Sequence, residues 1–427
     1  MMSQYNKSNQ HLESALNYIP LGAQTFSKSQ MAFPKDAAPL FLSHGKGCMV
    51  SDVDGNEYID FVNGLLAISL GYCDPDVDQS VMQQMQSGVS FSLSHPIETS
   101  VAKKICELIP CAEQVRFAKN GSDATSAAIR LARAFTNREH VAVCGYHGWQ
   151  DWYIGSTSRN LGVPKAVQSL THTFQYNNLE SLRAILEANE IAAVIMEPMN
   201  VAFPEAGFLQ GVKELCEQFG AVLIFDETIT GFRFDIGGAQ SLFGVTPDLA
   251  TFGKGIANGY PISVICGRAD IMALMNDIFF SGTFAGETLS LAAALATIEK
   301  MQRDDVINHV TTLGDTLSKG LQHLIETHNT QSWMSVSGHP SWSFFNIAPQ
   351  GNYSALQLRS LFIQEMAKRG ILINSSHNLS FSHKAHHIDS LLTAYDEVLP
   401  ILVNAVEQQC LDKYFTGTTL ENVFKVR

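Results

Sequence analysis

The sequence predicts an α/β protein. A large domain is built on a mostly parallel sheet flanked by helices, and a smaller α+β domain is formed from the amino- and carboxyl-terminal segments. Three observations carry this. Short continuous apolar runs alternate with helical stretches from about residue 115 to residue 266, the pattern of buried parallel strands joined by crossover helices. An Asp54-Gly55 turn signal lies between Met49-Val50 and Tyr58-Ile59, which reads as an antiparallel hairpin ahead of that region. After the helical run LSLAAALATIEKMQ, the remaining chain mixes helices with short strand-like runs. The expected boundaries are an amino-terminal segment 1–60 that packs on the small domain, a large domain 61–310, and a carboxyl-terminal small domain 311–427.

The elements follow in order. VRFA (115–118) precedes the helical DATSAAIRLARAF (123–135), and HVAVC (140–144) follows. ESLRAILEA (180–188) precedes AAVIM (192–196), and VKELCEQFG (212–220) precedes AVLIF (221–225). LATFG (249–253) and ISVIC (262–266) complete the set, with SFFNIA (343–348) and ILIN (371–374) in the small domain.

The chain has 427 residues, 45% hydrophobic and 16% charged, with a formal net charge of −13. That length buries a full core without a disulfide or metal staple. The acidic balance gives no electrostatic footprint for nucleic acid or an anionic membrane. No apolar run approaches the ~18 residues of a membrane span, and MMSQYNKSNQ at the start lacks an apolar signal core. The eight cysteines form no Cys-x-x-Cys pair and suit a reducing compartment. A cytoplasmic enzyme acting on small molecules, with no nucleic-acid or membrane partner, is expected.

In an open parallel sheet, ligands bind beyond the carboxyl ends of the strands. After VRFA comes Lys119-Asn120-Gly121-Ser122-Asp123, and after HVAVC comes Gly145-Tyr146-His147-Gly148-Trp149. Glu197-Pro198, Asp226-Glu227-Thr228 and Lys254-Gly255 follow the next runs. Gly121-Ser122 at a helix start can bind a phosphate through backbone N–H groups and the positive helix end; a plain helix cap at Ser122 or Asp123 is the other reading. Asp226 ends an apolar strand, where a carboxylate needs a cation or hydrogen-bonding partner; a protonated heterocyclic nitrogen would serve, as would a cap or an internal salt bridge. Lys254, between two glycines, can lose pKa against apolar walls and become an amine nucleophile; a surface lysine in a turn is the alternative. Tyr146 and Trp149 can stack on a flat cofactor or belong to the core. His377, His383, His386 and His387 lack metal-ligand spacing, so no metal is expected. No Gly-x-Ser-x-Gly or strand-linked Gly-x-Gly-x-x-Gly is present, which removes support for hydrolase and dinucleotide readings.

As a whole the constellation resembles the class III aminotransferases, which are pyridoxal 5'-phosphate (PLP) enzymes, with the closest likeness to glutamate-1-semialdehyde 2,1-aminomutase and its relatives. The resemblance rests on SDVDGNEYIDF (51–61), NGSDATSAAIRLARAFTNR (120–138), YHGWQDW (146–152), LGVP (161–164), EP (197–198), FDETITGFRF (225–234), PDLATFGKGIANGYPISVICGR (247–268) and SGTFAGET (281–288), in family order. It implies the PLP-aminotransferase fold, a cofactor Schiff base on Lys254, and Asp226 paired with the pyridinium nitrogen. It also implies Gly121 and Ser122 around the phosphate, Tyr146 and Thr228 on opposite ring faces, and Glu197 and His147 lining the site. Thr283 would reach the partner subunit's phosphate in a homodimer with shared active sites.

Three positions depart from the family pattern. Thr228 stands where Val is usual. Gln24-Thr25-Phe26-Ser27-Lys28 replaces the aminomutase stretch whose Arg grips a carboxylate, and Lys cannot make that bidentate grip. Asn374-Ser375-Ser376-His377-Asn378 replaces a stretch that carries Glu. Lys28 and Trp149 are the candidate substrate contacts. The expected activity is amino transfer from a donor amino acid to a carbonyl acceptor, with an intramolecular aminomutase as the alternative. A racemase and a cofactor-binding scaffold are further readings.

Overall fold

The computed structural model describes residues 4–422. Among the described residues the chain divides into two compact units, one holding 4–74 and 308–422, the other Pro75–Ile307.

The first unit begins with the strands β1 (Leu42–Lys46), β2 (Met49–Asp52) and β3 (Glu57–Asp60). The hairpin expected at Asp54-Gly55 is present: Val50 lies opposite Tyr58 in an antiparallel ladder. Gly55 takes φ +95°, and Asp52 Oδ1 accepts the N–H groups of Asp54 and Asn56 at 2.9 and 2.8 Å. The turn is therefore closed by a side chain as well as by glycine.

The second unit carries β4 (Gln114–Ala118), β5 (His140–Cys144), β6 (Thr171–Thr173), β7 (Ile191–Met196), β8 (Val222–Asp226), β9 (Leu249–Phe252) and β10 (Ser263–Gly267). They form one sheet in the order β4-β10-β9-β8-β7-β5-β6. β6, β5, β7, β8 and β9 run parallel, and β10 is antiparallel to both of its neighbours. The sheet is thus mostly parallel, as the apolar runs predict. β6 escapes that pattern, because Thr171-His172-Thr173 has no apolar run.

Why the interior strands read as continuous apolar runs is clear from their two faces. Every residue of β7 and β8 is buried. Alternate residues point to opposite sides. Val141, Val143, Ala193, Ile195, Val222 and Ile224 face the helix Gly121–Thr136. Ala142, Val194, Met196, Leu223 and Phe225 face the helices Leu179–Ala188 and Phe208–Phe219. Each fully buried aliphatic side chain contributes about 1.5–3 kcal/mol. That two-sided burial fixes the register which carries the strand-end residues into place.

The chain returns to the first unit with β11 (Met334–His339), β12 (Trp342–Ile347), β13 (Ile371–Leu372) and β14 (Ser376–Asn378). β13 adds in parallel to β3, and β11-β12-β14 form a separate antiparallel sheet. His377 and His383 are fully buried here. His377 bonds Ser343 Oγ and the Tyr395 hydroxyl, each at 2.8 Å, and burial pushes its imidazole down to about 3. Among the described residues no helix is long and apolar enough to cross a membrane.

Candidate active site

At the carboxyl end of β8 the buried strand finishes on Asp226, which is 4% exposed. A carboxylate there must be fully hydrogen-bonded to remain ionised, and its donors come from three elements. The β8–β9 register sets Asp226 opposite Thr251, whose hydroxyl donates to Oδ1 at 3.1 Å. Thr228, two residues on, donates its backbone N–H at 3.1 Å and its hydroxyl at 2.6 Å to the same oxygen. His147 Nδ1 lies 2.9 Å from Oδ2. Burial alone would raise the Asp226 carboxyl; the His147 hydrogen bond and charge, with Thr228, outweigh it and hold the group below its ordinary value.

His147 is placed by the loop after β5. Its Nε2 is 3.2 Å from the Cys144 carbonyl, an oxygen that can only accept. The imidazole is thus held at both ring nitrogens, one against the Cys144 carbonyl and one against the Asp226 carboxylate. Thr125 Oγ1 donates to the His147 carbonyl at 2.8 Å, and the Tyr153 ring meets the imidazole edge-on at 5.3 Å. The same loop brings Tyr146, 47% exposed, against Tyr153 in a T-shaped contact at 5.7 Å. Gly145 and Gly148 take φ +112° and +102°. A Cβ on Gly145 would lie 2.5 Å from Glu197 Oε2, and one on Gly148 would overlap the Ser122 hydroxyl. Both glycines are thus required by conformation and by space.

Glu197 follows β7 and is 7% exposed. Its Oε2 accepts the Tyr146 N–H at 3.0 Å and Asn200 Nδ2 at 2.9 Å. Burial, and then the Asp226 charge, push this carboxyl up.

Lys254 follows β9 and Gly253. Its backbone sits at φ +44°, a left-handed conformation that costs a non-glycine residue of order 1–3 kcal/mol. Among the described residues its Nζ has no hydrogen bond or ion pair. Burial pushes the amine down, against the attraction of Glu197 and Asp226, and the buried guanidinium of Arg233 pushes it the same way as burial. A desolvated amine with a lowered pKa is a nucleophile and a base at neutral pH.

The turn Asn120-Gly121-Ser122 opens the 16-residue helix Gly121–Thr136. Asp123 closes it, accepting the Asn120 N–H at 2.9 Å. That leaves the N–H groups of Gly121 and Ser122 without an acceptor among the described residues, at the positive end of a long helix. Ser122 Oγ accepts the Trp149 N–H at 3.2 Å, so its own proton is available. The Thr228 methyl group lies 3.1 Å from where a Gly121 Cβ would be and 3.3 Å from that of Gly253. Thr228 therefore lies next to both the phosphate-type turn and the turn before Lys254, at positions where glycine leaves it room.

Gly121, Ser122, Tyr146, His147, Glu197, Asp226, Thr228 and Lys254 are thus joined by contacts or close electrostatic interactions at the strand ends of one sheet. Thr283 lies outside that set, in the same unit. Thr283 lines cavities of about 450 and 380 Å³ with Phe280, Ser281 and Gly282, and none of the eight residues lines either. Lys28 ends a short turn, Phe26–Lys28, in the first unit and is exposed. Trp149 is 65% exposed and meets Ser122 through its backbone. The sequence reading passed over Thr251, Asn200, Thr125 and Tyr153, which hold Asp226, Glu197 and the His147 loop. It quoted Arg233 within a motif without assigning it a role. It also left Glu227 aside: that carboxylate is fully buried and accepts Thr230 Oγ1 at 2.7 Å and the N–H groups of Ala239 and Gln240 at 2.5 and 3.0 Å.

Comparison with known proteins gives the family. The family described as aminotransferase class-III matches residues 31–399. The chain is 36% identical over 376 residues to a 3-aminobutyryl-CoA aminotransferase of Cloacimonas acidaminovorans, covering 86% of this chain and 89% of that protein. It is 35% identical over 424 residues to a glutamate-1-semialdehyde 2,1-aminomutase of Bacillus pumilus, covering 92% and 98%. The FumI protein of a Sphingopyxis species, solved in its PLP internal aldimine form, superposes with a TM-score of 0.85 at 26% identity, covering 93% and 97%. The chain belongs to the class III aminotransferases, a family of PLP-dependent enzymes.

Proposed function

We propose that this enzyme transfers an amino group from a donor amino acid to a separate carbonyl acceptor, using Lys254 as the cofactor-binding lysine and proton carrier. The single observation that carries the reading is the Lys254 amine, on a half-buried residue, without a hydrogen-bond partner among the described residues, and lowered in pKa by desolvation against the attraction of the carboxylates Glu197 and Asp226.

The residues fit PLP. The unoccupied N–H groups of Gly121 and Ser122, with the Ser122 hydroxyl, suit a phosphate. The Gly148 cradle keeps that turn open. Asp226 is held ionised and suits a ring N–H. When bound, PLP supplies an aldehyde that captures amines and a protonated ring that takes up carbanion charge. Lys254 would hold that aldehyde, and its amine would carry the proton to and from the donor carbon. Asp226 would keep the ring nitrogen protonated, with His147 holding Asp226 in place. Tyr146 and Thr228 would line the ring, Thr283 would serve the partner's cofactor phosphate in a homodimer, and Lys28 and Trp149 would contact substrate.

A separate acceptor is favoured because the two segments that differ from the aminomutase, residues 24–28 and 374–378, are its substrate-reading ones, and a polar carbonyl compound such as a keto sugar suits their Ser, Asn and Gln side chains. An aminotransferase stands beside an aminomutase among the relatives at similar identity, so the intramolecular reaction is the second reading. The test converts the enzyme to its amine-loaded form with one donor, removes the donor and assays the free keto product. Stoichiometric release supports transfer between two molecules; retention of the product, with isomerisation of an amino aldehyde, supports the aminomutase. The donor panel includes α- and β-amino compounds, because 3-aminobutyryl-CoA names the substrate of one relative.

A further inference from the structure

We propose that Thr228 is a positioning residue that, together with Thr251, occupies Oδ1 of Asp226 so that Oδ2 receives the cofactor ring nitrogen, and that its hydroxyl tunes the charge Asp226 presents there. The inference rests on the reading above that Asp226 pairs with that nitrogen. A carboxylate offers about four acceptor sites, two on each oxygen. Oδ1 already takes three donors: Thr228 Oγ1 at 2.6 Å, Thr228 N at 3.1 Å and Thr251 Oγ1 at 3.1 Å. Oδ2 takes His147 Nδ1 alone among the described residues. Oδ1 is therefore saturated, and the acceptor site left for a ring N–H is on Oδ2, which the ring shares with His147. Of the three donors on Oδ1, the Thr228 hydroxyl makes the shortest bond. The other branch of the same side chain, its methyl, is directed toward the space that the missing Cβ atoms of Gly121 and Gly253 leave open.

The Thr228 hydroxyl then has two effects. It locks the carboxylate against rotation, and it withdraws charge from Asp226, weakening the hold of Asp226 on positive charge in the bound cofactor. Thr228→Val keeps the shape and removes the donor, whereas Thr228→Ser keeps the donor and removes the methyl.

The experiment measures, for PLP-loaded wild type, T228V and T228S, the pH midpoint of the absorbance change of the bound cofactor, together with kcat and the donor KM. T228V is expected to raise the midpoint by about half a pH unit or more, roughly threefold in the proton equilibrium. Its kcat falls by about tenfold with donor KM changed less than about twofold, as expected for a group that acts through Asp226. T228S keeps the wild-type midpoint. Thr251→Val, which removes the longer hydroxyl bond, shifts the midpoint in the same direction by less, and stands in if T228V does not fold. A T228V midpoint equal to that of wild type, or a T228S midpoint equal to that of T228V, overturns the proposal. D226A separates this from the underlying reading: wild-type PLP affinity and midpoint in that variant would refute the Asp226 assignment itself, whatever Thr228 does.

Discussion

Asp226 and Lys254 are opposite solutions to the same cost. Each places an ionisable group in an interior that disfavours charge. Asp226 is compensated by donors on both oxygens and stays ionised; Lys254 has no hydrogen-bond partner among the described residues, and desolvation shifts its amine below its ordinary value. Removing the Asp226 carboxylate leaves His147, Thr228 and Thr251 with stranded donors. Asp226→Ala is therefore expected to weaken PLP binding by tenfold or more and to lower kcat by about 10²–10⁴-fold, measured by PLP titration of the apoprotein and by steady-state rates. For Lys254, a folded pKa below the unfolded one means that the unfolded chain binds the proton more readily, so stability rises with pH through the window between them. Lys254→Met should raise the apoprotein's melting temperature by roughly 1–3 °C at neutral pH, with the gain fading as pH approaches the ordinary lysine value of 10.5. Melting curves of the two apoproteins between pH 7 and 10 check this; a gain that grows with pH contradicts it.

At the level of elements, the loop after β5 does most to assemble the site, and glycine makes that possible. Gly148→Ala would force a Cβ into Ser122 from a backbone at φ +102°. It is expected to reduce PLP affinity at least about tenfold with a smaller loss of fold stability, read by equilibrium dialysis and thermal unfolding side by side. The sequence made the interior strands visible because β7 and β8 are buried on both faces and must be apolar throughout. β6 and β14 were not visible: Thr171-His172-Thr173 and Ser376-His377-Asn378 are short and polar, and pairing makes them strands. The site divides the same way. Asp226 and Lys254 were legible because a charge at the end of an apolar run is costly and so informative. Thr251 was not, since Thr is an ordinary strand residue; only the register of β8 against β9 gives it a carboxylate to bond. Asn200 and Tyr153 likewise act through loop geometry that no local pattern encodes.

At the scale of the whole molecule, Thr283 lies in a loop with exposed Phe279 and Phe284, 85% and 61% exposed, beside two cavities that none of the eight clustered residues lines. Exposed aromatic surface of this kind is typical of a subunit interface. The homodimer reading predicts twice the chain mass in solution by light scattering. It also predicts that Thr283→Ala weakens PLP binding without changing the far-ultraviolet spectrum. A monomer with full activity would refute the shared site.

The central claim is that Lys254 carries the amino-transfer chemistry, and the most direct measurement is the absorbance of purified wild type and Lys254→Ala before and after single amino donors. The account predicts that wild type carries covalently held PLP, that one donor converts it to the amine-loaded form with release of keto product, and that Lys254→Ala retains PLP without a covalent bond and does not turn over. Near-normal turnover by Lys254→Ala would contradict it.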